Sequence, residues 1–298
     1  MTVNVIEACE LGRRYGSVWG LYDATFEVSR GRIAVLLGPN GAGKTTTINI
    51  LATILRPSKG YASVLGYDVV DGYRYIRKMV AYLPQDCRGD NNWTPYEAVK
   101  WFLVARGFTL SDASLRAKEW IEYMGLGDCR DVSMWRLSGG QSKRVLVSMV
   151  LATGAELIFL DEPTTGLDVE AKYVIWRKLR EYVRDGSTIL LTTHDMREAE
   201  ILGDYIIMVH RGRTVAKGRL SDLRKFSQYE YRVVLDKYTC DIRDVGSSID
   251  LGDKKIIYAR NREELDAIIS GIDINGVIKI EKTGLEDIYL NVVRMGRE

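Results

Sequence analysis

The 298 residues are enough for one large core, or for a main domain with a smaller one attached. Lys and Arg number 42 against 40 Asp and Glu, so the chain lacks the basic footprint of a nucleic-acid binder, and no nucleic-acid partner is expected. Four widely spaced cysteines, Cys9, Cys87, Cys129 and Cys240, suit neither a metal site nor a redox pair and are expected as free, buried thiols of a reducing cytosol.

The chain opens on MTVNVIEACELGRRYG, with acidic residues and glycines where a signal peptide needs an apolar run, so export is not expected. The apolar strand IAVLLG then leads into GPNGAGKTT, Gly38 to Thr46, and on into a helical pattern, TTTINILATIL. This is the strand-loop-helix context of a phosphate loop. Gly38, Gly41 and Gly43 let the backbone of the loop, with Pro39, Asn40 and Ala42 between them, aim N–H groups at phosphate oxygens. Lys44 is placed to neutralise β- and γ-phosphates, Thr45 to offer its hydroxyl to Mg²⁺, and Thr46 to bond a neighbouring phosphate.

From about Arg88 to Thr153 the pattern is mostly helical, with a Thr cap, a first-turn proline and a returning Glu in TPYE, Thr94 to Glu97. Trp93, Tyr96 and Trp101 in this insertion are expected to be mainly core. LSGGQ, Leu137 to Gln141, opens another helix: Leu137 is read as its anchor in the core, and Ser138, Gly139 and Gly140 as a second anion site of hydroxyl and backbone N–H groups. The apolar run Val145 to Leu160 is broken by Ser148, Thr153, Gly154 and Glu156 and cannot cross a bilayer, so a membrane role requires a partner.

LIFLDEP, Leu157 to Pro163, is a buried-strand pattern ending in two carboxylates. Asp161 is the candidate for holding Mg²⁺, which leaves Glu162 free to polarise an attacking water. The alternation of short apolar strands, STILLTTH among them, with helices predicts a parallel α/β sheet. The texture changes near Phe226, where YEYRVVLD, KKIIYAR, NREELDAIIS and VIKIEK predict a small α+β appendix. Its last helix, from about Gly284, carries Leu285, Ile288, Tyr289, Val292 and Val293 on one face, with Thr283 and Glu286 as its expected cap.

The phosphate loop, LSGGQ and LIFLDEP, in this order and spacing, resemble the nucleotide-binding subunit of an ABC (ATP-binding cassette) transporter over about Val3 to Lys225. The resemblance implies an α/β fold: a P-loop NTPase (RecA-like) core with an antiparallel β subdomain and a helical insertion at about 88–153, in an ATPase domain of residues 1–225. A small C-terminal α+β domain would follow at 226–298. It also implies ATP and Mg²⁺ as ligands, Lys44, Glu162 and His194 as catalytic residues, and Thr45, Gln85 and Asp161 as metal ligands. Tyr15 corresponds to the aromatic that stacks on adenine, Gln85 to the glutamine that touches Mg²⁺ and senses the membrane partner, and His194 to the histidine at the γ-phosphate. Asp168 corresponds to the loop that crosses the dimer interface. Ser138, Gly139, Gly140 and Gln141 would close the nucleotide held by the other member of a head-to-tail dimer, homo- or heteromeric. Integral membrane permease subunits are the implied partners, with the chain cytoplasmic and peripheral on the inner face of the membrane. His210, in the turn HRGR, is read as solvent-exposed.

GYDVV, IIMVHRGRTVAKGRLSDL and GLEDIYLNVV resemble single-cassette subunits of the drug-, antibiotic- and polysaccharide-export branch. ABC ATPases that act on DNA place very long coiled coils between the phosphate loop and LSGGQ. The short interval from Thr45 to Leu137 holds no sustained heptads and excludes them. A soluble ABC ATPase with a regulatory or assembly role remains as the alternative.

Overall fold

The computed structural model describes residues 3–236, 247–272 and 276–295, and forms two compact units, Met1–Arg219 and Leu220–Glu298. Cys240 lies outside the described residues.

The first unit begins with β1 (Asn4–Tyr15), β2 (Val18–Ser29), β3 (Ile33–Leu37), α1 (Lys44–Leu51), β4 (Lys59–Val64), β5 (Tyr67–Asp68), α2 (Tyr73–Met79) and β6 (Val80–Leu83). It continues with α3 (Pro95–Ala105), α4 (Leu110–Tyr123), α5 (Gly139–Leu151), β7 (Leu157–Asp161), α6 (Val169–Arg184), β8 (Thr188–Thr193), α7 (Met196–Leu202), β9 (Tyr205–His210) and β10 (Arg213–Gly218).

Its ten strands form one sheet in the order β5-β4-β1-β2-β10-β9-β3-β8-β7-β6. The run β6, β7, β8, β3, β9 is parallel, whereas β5, β4, β1 and β2 pair antiparallel. Every residue of β3, β7 and β8 is buried, which is why these strands read as unbroken apolar runs rather than as alternations. In β1 and β2 buried and exposed positions are interspersed, and Ile6, Leu11, Leu21 and Phe26 enter the core. Crossovers of a parallel sheet deliver their loops to the carboxyl ends of the strands, and the phosphate loop, the acidic pair and His194 all follow such ends.

The helical insertion forms as its capping signals require. Thr94 caps α3 with a complete capping box to Glu97, Thr109 caps α4, and Ser138 caps α5. Helix α3 buries Pro95, Ala98, Val99 and Leu103, an i, i+3, i+4, i+8 stripe that leaves Trp101 on the opposite face. Trp93 and Trp101 are therefore exposed and Tyr96 half-buried, contrary to the expectation of core aromatics.

Four further expectations are corrected. Helix α1 ends at Leu51 rather than running to Leu55, because Thr53 adopts a left-handed φ of 61°. Leu137 is only half-buried; the preceding 3₁₀ turn points Met134 into the core instead. Among the described thiols, Cys129 is buried, Cys87 is half-buried and Cys9 is exposed. His210 is half-buried at the end of β9, held by the antiparallel pairing with Arg213 of β10.

The second unit contains α8 (Leu220–Leu223), β11 (Tyr231–Asp236), β12 (Ser248–Asp250), β13 (Lys254–Ala259), α9 (Arg262–Ser270), β14 (Val277–Lys282) and α10 (Leu285–Met295). Its sheet runs β12-β13-β11-β14, all antiparallel, and Val233, Leu235, Ile257, Leu265 and Ile268 make its core. Asn261 caps α9 as its sequence requires. At α10 the cap differs from expectation: the Thr283 hydroxyl donates to the Tyr229 carbonyl at 2.8 Å, and the Gly284 N–H is met by Asp287, not Glu286, at 3.0 Å. Of the expected apolar face, Leu285, Ile288, Tyr289 and Val292 are buried and Val293 is half-buried.

Candidate active site

The loop after β3 makes room for a ligand by using glycine where no side chain fits. A Cβ on Gly38 would lie 2.2 Å from the Val209 carbonyl oxygen, and Gly43 holds φ at 103°, where a Cβ would lie 2.8 Å from the Gly20 carbonyl oxygen. Gly20, Asn40, Gly41, Gly43, Lys44, Thr45, Thr46, Gln85 and Glu162 line a cavity of about 390 Å³. That volume lies within the range of small-ligand pockets.

Lys44 is nearly fully buried. Its ammonium donates to the Gly38 and Pro39 carbonyls at 2.9 and 3.1 Å and stands 3.4 Å from Glu162 Oε1. The other oxygen of Glu162 accepts a hydrogen bond from the Thr165 hydroxyl at 2.9 Å and lies 3.2 Å from His194 Nδ1. Burial alone would raise the Glu162 pKa, but the hydrogen bonds from Thr165 and His194 and the charge of Lys44 together hold it below the usual glutamate range.

The backbone of Glu162 is strained, with φ at 48°. A non-glycine residue held there costs about 1–3 kcal/mol and persists only when its surroundings fix it. Here its N–H is held by both the carbonyl and the hydroxyl oxygen of Thr192, at 3.2 and 3.0 Å.

Asp161, wholly buried at the end of β7, has the opposite shift. Burial drives its pKa above the aspartate range, against hydrogen bonds from the hydroxyls of Thr192 and Thr45. Its Oδ2 is buried without a hydrogen-bond partner among the described residues. Asp161 does not itself line the cavity, but its orphaned oxygen lies behind Thr45, which lines it with Gln85 and Glu162, and these oxygen donors fit a hard divalent cation such as Mg²⁺.

Tyr15 stands at the rim, half its surface exposed. Its ring packs on Gly20, its hydroxyl lies 3.5 Å from Thr46 Oγ1, and the Arg13 guanidinium lies 5.4 Å from the ring centroid. Ser138, Gly139, Gly140, Gln141 and Asp168 do not line this cavity. Ser138 and Gln141 bond each other's backbone in a capping box, and Asp168 caps α6 by accepting from the Ala171 N–H at 2.8 Å. The two helix starts touch: a Cβ on Gly140 would lie 3.2 Å from that of Ala171, while one on Gly139 would meet nothing.

Two residues of the site escaped the sequence reading. Thr192 is paired in register with Asp161, so its role follows from knowing that β7 and β8 are neighbours. Lys143, two positions beyond Gln141, is close enough to Asp161 and Glu162 for their charges to act on it, and burial lowers its pKa.

Known proteins resemble this chain in sequence and in fold. The family model described as ABC transporter matches residues 21–165. The daunorubicin/doxorubicin resistance ATP-binding protein DrrA of Streptomyces peucetius is 36% identical over 221 residues, 74% of this chain and 67% of that protein. Nod factor export ATP-binding protein I of Cupriavidus pinatubonensis is 33% identical over 304 residues, 99% of this chain and 91% of that one. Among solved structures, an ATP binding subunit of an ABC transporter superposes with a TM-score of 0.67 at 30% identity, covering 74% of this chain and 92% of that one.

Proposed function

Because this chain belongs to the ABC transporter family, as one of its ATP-binding subunits, we propose that it hydrolyses ATP in the cavity between the phosphate loop and Glu162 to power export through separate membrane subunits. The observation that carries the reading is the convergence of Lys44, Glu162 and His194 beside the orphaned oxygen of Asp161. The direction of transport rests on the relatives, whose names specify drug resistance and Nod factor export.

In this reading Lys44 exchanges its carbonyl partners Gly38 and Pro39 for β- and γ-phosphate oxygens, and the adenine stacks on Tyr15. Thr45, Asp161 and Gln85 would hold Mg²⁺, which supplies charge neutralisation to the phosphates when bound. Glu162 orients the attacking water and receives its proton as the bond to the γ-phosphorus forms and the β–γ bridging bond breaks, giving ADP and phosphate. A weakly basic carboxylate suffices, because a loose phosphoryl-transfer transition state asks for positioning more than for a strong base. His194 steadies Glu162 from the side.

The start of α5 lies outside the cavity, which supports a role in trans: Ser138, Gly139 and Gly140 close on nucleotide bound by the phosphate loop of a second subunit, with Gln141 and Asp168 beside the junction. Each hydrogen bond to a charged phosphate contributes about 1.5–3 kcal/mol, so loss of the γ-phosphate loosens the pair. Among the described residues no helix is long and apolar enough to cross a membrane. Attachment to the inner face of the membrane therefore comes through permease subunits contacting the surface near Gln85.

The reading is tested by measuring Mg²⁺-dependent phosphate release from ATP, together with affinity isolation of the tagged chain from detergent-solubilised membranes. Turnover that is abolished by chelator, and recovery of a multi-span membrane protein, are expected. ATP hydrolysis without any membrane protein would favour a soluble ABC ATPase instead.

A further inference from the structure

Glu198 is almost wholly buried in the first turn of α7 and forms no ion pair among the described residues. Its Oε1 accepts two hydrogen bonds, from the Thr164 hydroxyl at 2.6 Å and from the Trp176 indole N–H at 2.8 Å. The three residues come from three different segments. Thr164 is two positions beyond Glu162; Trp176 is on α6, the helix capped by Asp168; and α7 itself follows directly from His194 and its capping residue Asp195.

We propose that Glu198 is a positioning residue that locks the Glu162 loop, the Asp168 helix and the His194 loop into one rigid arrangement, and thereby sets the geometry of ATP hydrolysis. The inference rests on the catalytic reading given above for Glu162 and His194.

Three observations carry it. First, a carboxylate satisfied only by neutral donors is an expensive way to fill a buried position, and an apolar side chain of similar volume would serve stability as well or better. Second, the strained φ of Glu162 must be held from outside, and the Thr164 bond fixes the chain just beyond it, complementing the Thr192 bonds at its N–H. Third, a parallel link joins the same elements: Lys172 of α6 bonds Asp195 at 2.7 Å, and Asp195 in turn accepts from the N–H groups of Arg197 and Glu198. With both links intact, neither the His194 nor the Asp168 segment moves without the other. The short distance between His194 and Glu162 is the part of the site that depends on this lock.

The experiment compares steady-state ATP hydrolysis of Glu198→Leu, Glu198→Gln and Thr164→Val with the parent protein, alongside Glu162→Gln. Displacing reacting groups by about 1 Å costs on the order of 100-fold. Glu198→Leu is therefore expected to lower kcat by roughly 10- to 100-fold, with KM for ATP within about twofold, because the phosphate loop is untouched. Glu198→Gln keeps an Oε1 that accepts from both donors and should restore kcat to within a few-fold. Thr164→Val, close in volume but lacking the hydroxyl that donates to Glu198, should lower kcat in the same direction. In the Glu198→Leu background, Thr164→Val should lower it no further.

Parent-like kcat in either Glu198→Leu or Thr164→Val overturns the proposal, as does a Glu198→Gln variant as slow as Glu198→Leu. If Glu162→Gln abolishes turnover while Glu198→Leu keeps it, the lock alone is refuted. If Glu162→Gln itself turns over normally, the catalytic reading fails and the lock fails with it.

Discussion

His194 Nδ1 lies 3.2 Å from Glu162 Oε2, while Lys44 Nζ lies 3.4 Å from Oε1 of the same carboxylate. One buried glutamate is thus held from both sides by groups from two other strand ends.

Glu162→Gln should retain ATP binding and lose turnover by roughly 10²- to 10⁴-fold, the range typical of removing an acid-base group. Phosphate release and binding of a fluorescent ATP analogue, measured on the same preparation, check both halves. Unchanged turnover would remove Glu162 from the mechanism.

Lys44→Ala deletes the buried ammonium that donates to the Gly38 and Pro39 carbonyls and that the proposed mechanism turns to phosphate. Loss of about 1.5–3 kcal/mol corresponds to an ATP affinity weaker by about 10- to 150-fold, to be read from the same binding titration. Near-normal affinity would mean that the lysine does not face the nucleotide.

The depressed Glu162 pKa has a consequence for stability. Its stabilising contribution is present above the ordinary glutamate pKa, about 4.5, and is lost as pH falls through the lower folded value. In metal-free protein, Tm of the parent should fall more steeply than that of Glu162→Gln as pH is lowered from about 5 to below 4. Parallel Tm curves would contradict the assignment.

Asp161 behaves inversely: burial raises its pKa, so its charged form destabilises the folded chain as pH rises through the shifted value. Asp161→Asn should raise the neutral-pH Tm of chelator-treated protein by roughly 2–4 °C, equivalent to about 1 kcal/mol. The same variant should lose the Tm increase that Mg²⁺ gives the parent. A lower Tm in chelator, or an intact Mg²⁺ response, would count against the metal role.

Gly139 and Gly140 separate folding from function. A Cβ at Gly139 has open space and replaces glycine in a helix, so Gly139→Ala should be neutral or stabilising by up to about 1 kcal/mol. At Gly140 the methyl crowds Ala171, and a modest loss of stability is expected. In the Glu162→Gln background, both should weaken the ATP-dependent dimer measured by size-exclusion chromatography, because added side chains stand between backbone N–H groups and the nucleotide of the second subunit. A dimer of parent strength in both would refute the clamp.

Local chemistry carries its own address, and such features were legible without a fold. The phosphate loop needs glycine, lysine and hydroxyl residues at fixed spacing, the capping boxes at Thr94 and Ser138 need their partners three residues away, and the buried strands need unbroken apolar runs. Each depends on residues within one turn or one strand, so sequence spacing and spatial spacing coincide.

What the sequence could not determine is where distant segments meet. The exposure of Trp101, the half-burial of Leu137 and the role of Asp287 in place of Glu286 depend on which face each element turns to its neighbours. The register that sets Thr192 against Asp161 and the single buried oxygen of Glu198 that gathers Thr164 and Trp176 depend on strand order and helix packing. The sequence by itself determined which groups are candidates to bind and cleave a nucleotide. Only the tertiary structure decided which side chains hold those groups in place, because burial and hydrogen bonding between remote segments exist only once the sheet has formed.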